Sequence, residues 1–254
     1  VKFFLDGVLE SHTASMPQGY ADRPDETGTL VWKPEAYHSA VRRVSEAGFQ
    51  IWTHAIGSGA IRLALDAYAQ VPEATRALRH RVEHVEIPFA GDIPRFKELG
   101  AVACLQPVMV APSDEWMGMD GVWAQRVRES EQERAFPNRS LLDAGSVVAF
   151  GTDWPIVSLS PLRGIGKAVT RRSLAGGAAF VPQQAISVDE ALYAYTAAGA
   201  FACHREGQEG SIEVGKLADL VVLDADPADV PPERISEISV LMTVLGGRVV
   251  YDAR

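Results

Sequence analysis

Four residues of this chain have the type and placement for metal chemistry: Lys2, His54, His84 and Asp153. His54 closes the run Gln50-Ile51-Trp52-Thr53-His54, His84 closes Arg81-Val82-Glu83-His84, and Asp153 closes Val147-Val148-Ala149-Phe150-Gly151-Thr152-Asp153. Lys2 lies in the opening run Val1-Lys2-Phe3-Phe4-Leu5. Two imidazoles and a carboxylate suit a divalent cation, zinc first among them, because imidazole is a neutral borderline-soft donor and the carboxylate supplies charge. Each residue also has a plainer use. A strand-end His is commonly a hydrogen-bonded structural group, Asp before Trp-Pro is a natural turn start, and a strand Lys ordinarily points outward or snorkels. The shared position at strand ends favours the metal reading. An ammonium beside such a cation would repel it; carboxylation by carbon dioxide would turn the Lys2 amine into an anion with two oxygens, able to bridge two ions.

The elements that must position these groups are legible as apolar runs alternating with segments of helical period. Residues 1–5, 50–54, 81–86, 101–106 and 147–153 read as strands. Pro34 opens a helix with Tyr37, Val41 and Val44 on one face and a stop at Gly48; a second carries Ile61, Leu65 and Tyr68 and ends before Pro72. Asp92 is placed to cap a third that stops at Gly100, Asn138 starts a short one ending at Gly145, and Ser187 with Glu190 makes a capping box for a helix running to about Cys203. This alternation predicts an α/β fold, a parallel sheet with helices outside. The strands of a β/α barrel bring their C-terminal ends to one face, where active sites are built. The tail differs: residues 218–224 read as a strand, and 240–245 with 248–251 as a hairpin about Gly246-Gly247. A boundary near Glu206 therefore separates residues 1–206, the barrel part, from 207–254, the β part. Residues 6–33 form a long loop rich in Gly, Pro, Ser and Thr, and loops of that length usually serve a site.

Composition narrows the function classes. The net charge is −9 with no run of Lys or Arg, which argues against nucleic acid and anionic membrane as partners. No stretch has the length and apolarity of a membrane span or the pattern of a signal peptide. Cys104 and Cys203 are the only cysteines; they make neither a zinc ribbon nor a disulfide framework and suit a reducing cytoplasm. The chain opens inside an apolar strand without Met, from which we expect a fragment, associating with a missing half or with copies of itself.

The segments Val1-Lys2-Phe3-Phe4-Leu5-Asp6-Gly7, Thr53-His54-Ala55-Ile56-Gly57, Arg81-Val82-Glu83-His84 and Gly151-Thr152-Asp153-Trp154-Pro155 together resemble the amidohydrolase superfamily, and within it amidohydrolase family three. Ser160-Pro161-Leu162 and the tail Gly215-Lys216-Leu217-Ala218-Asp219-Leu220 are similar to the corresponding segments of that family. The resemblance implies the latter part of a (β/α)8 TIM barrel, strands four to eight, followed by C-terminal strands of a small β-sandwich. It implies that Lys2 matches a fourth-strand lysine open to carboxylation, that His54 and His84 match fifth- and sixth-strand metal ligands, and that Asp153 matches the eighth-strand aspartate that contacts metal and handles the proton of the attacking water. Gln106 would lie near substrate on the seventh strand, with Trp116 and Trp154 as further substrate-facing candidates. The activity implied is hydrolysis of an amide, formamide or cyclic amide-like C–N bond in a small molecule, with one or two divalent ions, zinc foremost. The His-x-His pair of the superfamily's first strand has no counterpart here: His12, His38, His80 and His204 are not so spaced.

Two other classes compete. A non-catalytic regulatory or binding protein built on a degenerate barrel would explain the missing pair, and Lys2 as a Schiff-base nucleophile would leave His54, His84 and Asp153 unused. Among the remaining charged groups, Arg81 and Glu83 alternate with Val82 and His84 and are expected to face the helix layer and pair with each other. Residues 126–134 read as a solvated helix face, His38, His80 and His204 read as exposed, and His12, in the long loop, reads either as a solvated residue or as one that reaches the site or substrate. Trp116, Met117, Met119 and Trp123 form either an apolar substrate wall or the packing of a long loop.

Overall fold

The expected apolar runs become β1 (Lys2–Phe4), β2 (Trp52–Ala55), β3 (Arg81–His84), β4 (Val102–Leu105) and β5 (Val148–Phe150), which form one sheet in the order β1-β2-β3-β4-β5. The computed structural model describes residues 1–110, 121–174 and 176–254. Pairing is parallel from β1 to β4, with Lys2 beside Trp52, His54 beside Glu83 and Ala55 beside His84. Parallel strands need long crossovers. Helices α1 (Pro34–Glu46), α2 (Ser58–Ala69) and α3 (Ile93–Leu99) supply them between β1 and β4, and the short α4 (Val122–Arg126), α5 (Glu129–Gln132) and α6 (Asn138–Asp143) precede β5. Beyond β5 come α7 (Pro161–Thr170), α8 (Val188–Tyr195) and α9 (Ala197–Ala202). A second sheet, β6 (Leu220–Leu223), β7 (Val240–Leu245) and β8 (Arg248–Asp252), is antiparallel, with Gly246 (φ 55°) and Gly247 (φ 76°) making the tight turn that only a residue pair tolerant of positive φ can make.

Two compact units divide the chain. The first gathers residues 1–105, the described residues of 112–148, and 181–184. The second gathers the described residues of 106–111 and 149–180, together with 185–254, and so holds the three-stranded sheet. Among the described residues no helix is long and apolar enough to cross a membrane.

The helix layer of the first unit packs as its periodicity predicts. Tyr37 and Val41 of α1, Ile61 and Leu65 of α2 and Phe96 of α3 are all fully buried. A polar chain runs through this layer: the Thr53 hydroxyl lies 2.7 Å from both the Tyr37 and the Tyr68 hydroxyls, and Tyr68 donates to the Arg81 carbonyl at 2.9 Å. Tyr68 has one proton and gives it to Arg81, so Thr53 donates to Tyr68 and Tyr37 donates to Thr53. Thr53 therefore faces the helices, and by strand alternation Trp52 and His54 face the opposite side. The Arg81 guanidinium lies 4.0 Å from the centre of the Trp52 ring and pairs with Glu83 at 2.9 Å. The expected ion pair forms, but on the face away from the helices, because Val82 shares its register with Thr53.

His80 is also placed differently from its expected exposure. It is 4% exposed; its Nδ1 accepts from the Ile51 N–H at 3.2 Å, so its Nε2–H donates to Ser45 Oγ at 2.8 Å. Ser45, not Val44, thus takes the buried position at the end of α1. Burial holds His80 down to about 4. A folded-state value below the free-imidazole value of 6.5 means that the unfolded chain binds the extra proton first. His80 therefore withdraws stability as pH falls from above 6.5 toward 4, by roughly 3 kcal/mol in all. The check is the urea midpoint of wild type against His80→Gln, which retains a donor and an acceptor. Wild type should lose that amount relative to the variant between pH 7.5 and 4, and parallel curves would show that His80 does not carry the effect.

In the second unit α8 begins with the expected capping box: the Ser187 hydroxyl accepts from the Glu190 N–H at 3.1 Å, and the Glu190 carboxylate accepts from the Ser187 N–H at 2.8 Å. The helix does not run unbroken to Cys203, since Thr196 leaves helical geometry (φ −117°, ψ −89°) and α9 restarts beyond it.

Candidate metal-dependent active site

His54 is the third residue of β2 and His84 the last of β3, and their rings meet edge to face with centres 4.5 Å apart. The register alone would not bring them together, since His84 pairs with Ala55 and shares the pleat of Val82. The backbone makes the difference. His84 (φ 79°) and Val85 (φ 50°) both adopt positive φ, a conformation costly for residues with a Cβ and costlier for a β-branched one. The positive φ at His84 sets its side chain off the regular pleat, where its ring meets that of His54, and the positive φ at Val85 turns the chain away beyond the strand.

His54 is oriented from behind. Its Nε2 lies 3.0 Å from the Gly7 carbonyl, which can only accept, so Nε2 carries the proton and, in the neutral ring, Nδ1 the lone pair. The Asp6 carboxylate is 3.6 Å from the same nitrogen. Asp6 is almost fully buried and accepts from the N–H groups of Ser15 (2.8 Å), Ile56 (3.1 Å) and Gly57 (2.9 Å). Burial pushes its carboxyl up to about 7, against the pull of those donors. It ties the start of the 6–33 loop to the residues that follow His54. Gly57 allows the close approach, because a Cβ there would lie 2.2 Å from the Ser15 carbonyl oxygen. In the sequence Asp6 stood out only as part of a motif; its three partners lie 9 to 51 residues away, and no local pattern reports them.

The other expected residues are placed as follows. Lys2 is on the face of β1 that His54 occupies on β2, with its Nζ 5.3 Å from the Phe4 ring centre, and the Phe4 ring lies 5.3 Å from that of His54. Gln106 is buried and begins the tight turn Pro107–Met109, whose Val108 carbonyl accepts from the fully buried Lys167 of α7 at 2.8 Å. Asp153 has φ 60°, and its carbonyl accepts from the Ile156 N–H at 2.9 Å across a cis Trp154-Pro155 bond. Trp154 is 63% exposed. Trp116, Met117 and Met119 lie outside the described residues. Gln106, Asp153 and Trp154 belong to the second unit, and Lys2, His54 and His84 to the first. His12 is not a solvated loop residue: its Nε2 lies 2.9 Å from Asp22, and its side chain is 8% exposed.

Two imidazoles that each place a nitrogen about 2 Å from one ion have ring centres within roughly 7 Å of each other, so the His54–His84 pair fits as two donors. Among the described residues no group of three or more His, Cys, Asp or Glu stands ready to hold a metal.

Glu86, two residues beyond His84, is another buried carboxyl. It accepts from the Trp123 indole N–H at 2.7 Å. Burial first, then the charges of Glu10 and Asp6, push it up to about 8.

A family model described as "Amidohydrolase family" matches residues 1–251. The chain is 34% identical over 253 residues to "Protein LONG AFTER FAR-RED 3" of Arabidopsis thaliana, covering 99% of this chain and 42% of the relative. It is 33% identical over 253 residues to an N-substituted formamide deformylase of Arthrobacter pascens, covering 99% and 45%. Among solved structures, an uncharacterized metal-dependent hydrolase from Pyrococcus furiosus aligns with a TM-score of 0.76 at 30% identity, over 90% of this chain and 45% of that one. The chain thus spans less than half the length of these relatives.

Proposed function

This chain belongs to the amidohydrolase family, and on that premise we propose that it carries part of the active site of a metal-dependent hydrolase of C–N bonds. The observation that carries the reading is the edge-to-face contact of His54 and His84 at the ends of neighbouring parallel strands. A divalent cation, zinc in the first instance, supplies when bound a Lewis acid that acidifies water and polarises a carbonyl. His54 and His84 hold it; Lys2, on the same sheet face as His54, is the further ligand and the site of carboxylation. The Gly7 carbonyl fixes the His54 tautomer, an outer hydrogen bond of the kind that orients metal-binding imidazoles.

Asp153 takes the proton from the attacking water and returns it to the leaving nitrogen. Gln106, Trp116 and Trp154 bind substrate, a small molecule with an amide, formamide or cyclic amide-like bond. The N-substituted formamide deformylase among the relatives supports that bond class.

The test is elemental analysis of the whole protein together with turnover on simple formamides and cyclic amides. About one or two equivalents of zinc or another divalent ion per chain, with hydrolysis abolished by chelation and restored by metal, is the expected result. A folded, metal-free protein that neither takes up added zinc nor hydrolyses any of these would rule the reading out.

A further inference from the structure

Leu5, Asp6 and Gly7 follow β1 and run beside His54. The Leu5 N–H donates to the His54 carbonyl at 3.0 Å, and the Gly7 carbonyl lies 3.0 Å from His54 Nε2, so the tripeptide holds His54 by its main chain and by its ring. Asp6, between them, is 3% exposed. Its Oδ1 accepts from the Ile56 N–H, and its Oδ2 accepts from the N–H groups of Gly57 and Ser15. Oδ1 also lies 3.6 Å from His54 Nε2, a neighbour in charge but beyond hydrogen-bond reach. Three stretches of chain therefore meet on one carboxylate: the continuation of β1, the turn that leads from β2 into α2, and the loop at Ser15.

The arrangement is specific for a carboxylate. Gly57 caps the N-terminus of α2, where the partial positive charge of the helix favours an anion. Three N–H donors converging on two oxygens leave no place for an amide. Whichever oxygen became NH2 would face a donor, Ile56 on one side or Gly57 and Ser15 on the other. The chain closes round the carboxylate at two glycines: a Cβ on Gly57 would run into the Ser15 carbonyl, and a Cβ on Gly7 into the Thr13 hydroxyl. Asp6 thus fixes, through the next residue along the chain, the Gly7 carbonyl that decides which nitrogen of His54 bears the proton.

We propose that Asp6 is a positioning residue for His54: by pinning Gly7 against Ile56 and Gly57 it holds the imidazole in one tautomer and one orientation, and so acts on metal binding through that ring. The proposal rests on the hydrolase reading above for the ion that His54 would hold, but not for the hold on His54 itself.

The test is Asp6→Asn in the whole protein, in buffer of about pH 8.5, above the range in which imidazoles ordinarily titrate. Nitrogen NMR reads the His54 ring in the metal-free samples, and competition against a chromophoric chelator reads zinc affinity. Wild type should show one neutral ring with its proton on Nε2. Asp6→Asn should show a mixture of the two tautomers and a zinc dissociation constant higher by about 10- to 100-fold, the scale for losing an outer partner of a metal-binding imidazole. In a His54→Ala background the same change should move the zinc dissociation constant by less than about twofold, because the ring through which Asp6 acts is gone. Urea denaturation of the metal-free samples shows which variants are folded. If Asp6→Asn is not, Asp6→Ser, which keeps one acceptor oxygen, takes its place, and the wild-type tautomer is a test that needs no variant. A wild-type ring protonated on Nδ1, an unchanged tautomer or zinc affinity in the folded variant, or an equal loss of affinity without His54 overturns the proposal. A wild type that binds no zinc would sink the hydrolase reading, while the tautomer comparison would still decide the hold of Asp6 on His54.

Discussion

His54→Ala and His84→Ala in the whole protein are each expected to lose metal and turnover together. Removing an outer-shell partner of a metal-bound imidazole typically costs 10- to 100-fold in affinity. Deleting the imidazole itself removes a direct ligand, so the zinc dissociation constant should rise by more than about 100-fold. The two variants are not equivalent in their side effects. His54 also donates to the Gly7 carbonyl, so His54→Ala releases one anchor of the loop after β1 and should lower the urea midpoint as well. His84 occupies a left-handed backbone position, where Ala is scarcely better accommodated than His, so His84→Asn is the better-matched second variant: Asn tolerates that conformation and lacks the ring. Zinc competition against a chromophoric chelator, run beside urea denaturation, separates loss of a ligand from loss of fold. Full retention of metal by folded His84→Asn would remove His84 from the ligand set.

How much of this was legible in the sequence depends on which interactions are local. All five parallel strands and the caps at Pro34, Gly100 and Ser187 follow from short-range signals: apolar runs, a fixed φ at Pro, a glycine at φ 64°, a Ser and Glu three apart. Alternation along β3 separates Arg81 and Glu83 from Val82, but it is silent on which pair meets the helices. Thr53 decides that, because its hydroxyl is tied to tyrosines 16 and 15 residues away. His80 looked like a surface residue for the same reason. Its partners Ser45 and Ile51 are distant in sequence, and a polar residue near a helix end offers no local sign of burial. Strict alternation would also have parted His54 from His84; His84 leaves the regular pleat at positive φ, and His does not advertise that conformation as glycine does. The charged run at 126–134 has the composition of a solvated helix, yet two of its arginines, Arg126 and Arg134, donate to carbonyls of two loops.

Asp153→Asn separates the two roles proposed for Asp153, three residues beyond the end of β5, and the backbone makes Asn the right substitution. At φ 60° an alanine would add conformational strain of about 1–2 kcal/mol to whatever chemistry it removed, whereas Asn, like Asp, enters the left-handed region readily. The amide keeps one oxygen donor and the side-chain shape but cannot accept a proton at neutral pH. If Asp153 is the base, the whole protein with this change should retain most of its metal while turnover falls by roughly 10² to 10⁴, the usual scale for a positioned general base. If Asp153 acts only as a ligand, turnover will instead follow metal content across a zinc titration and recover when the site is saturated. The decisive comparison is turnover per bound zinc. A value close to wild type excludes Asp153 as the base, and a deficit that persists at full occupancy leaves proton transfer as the function that was removed.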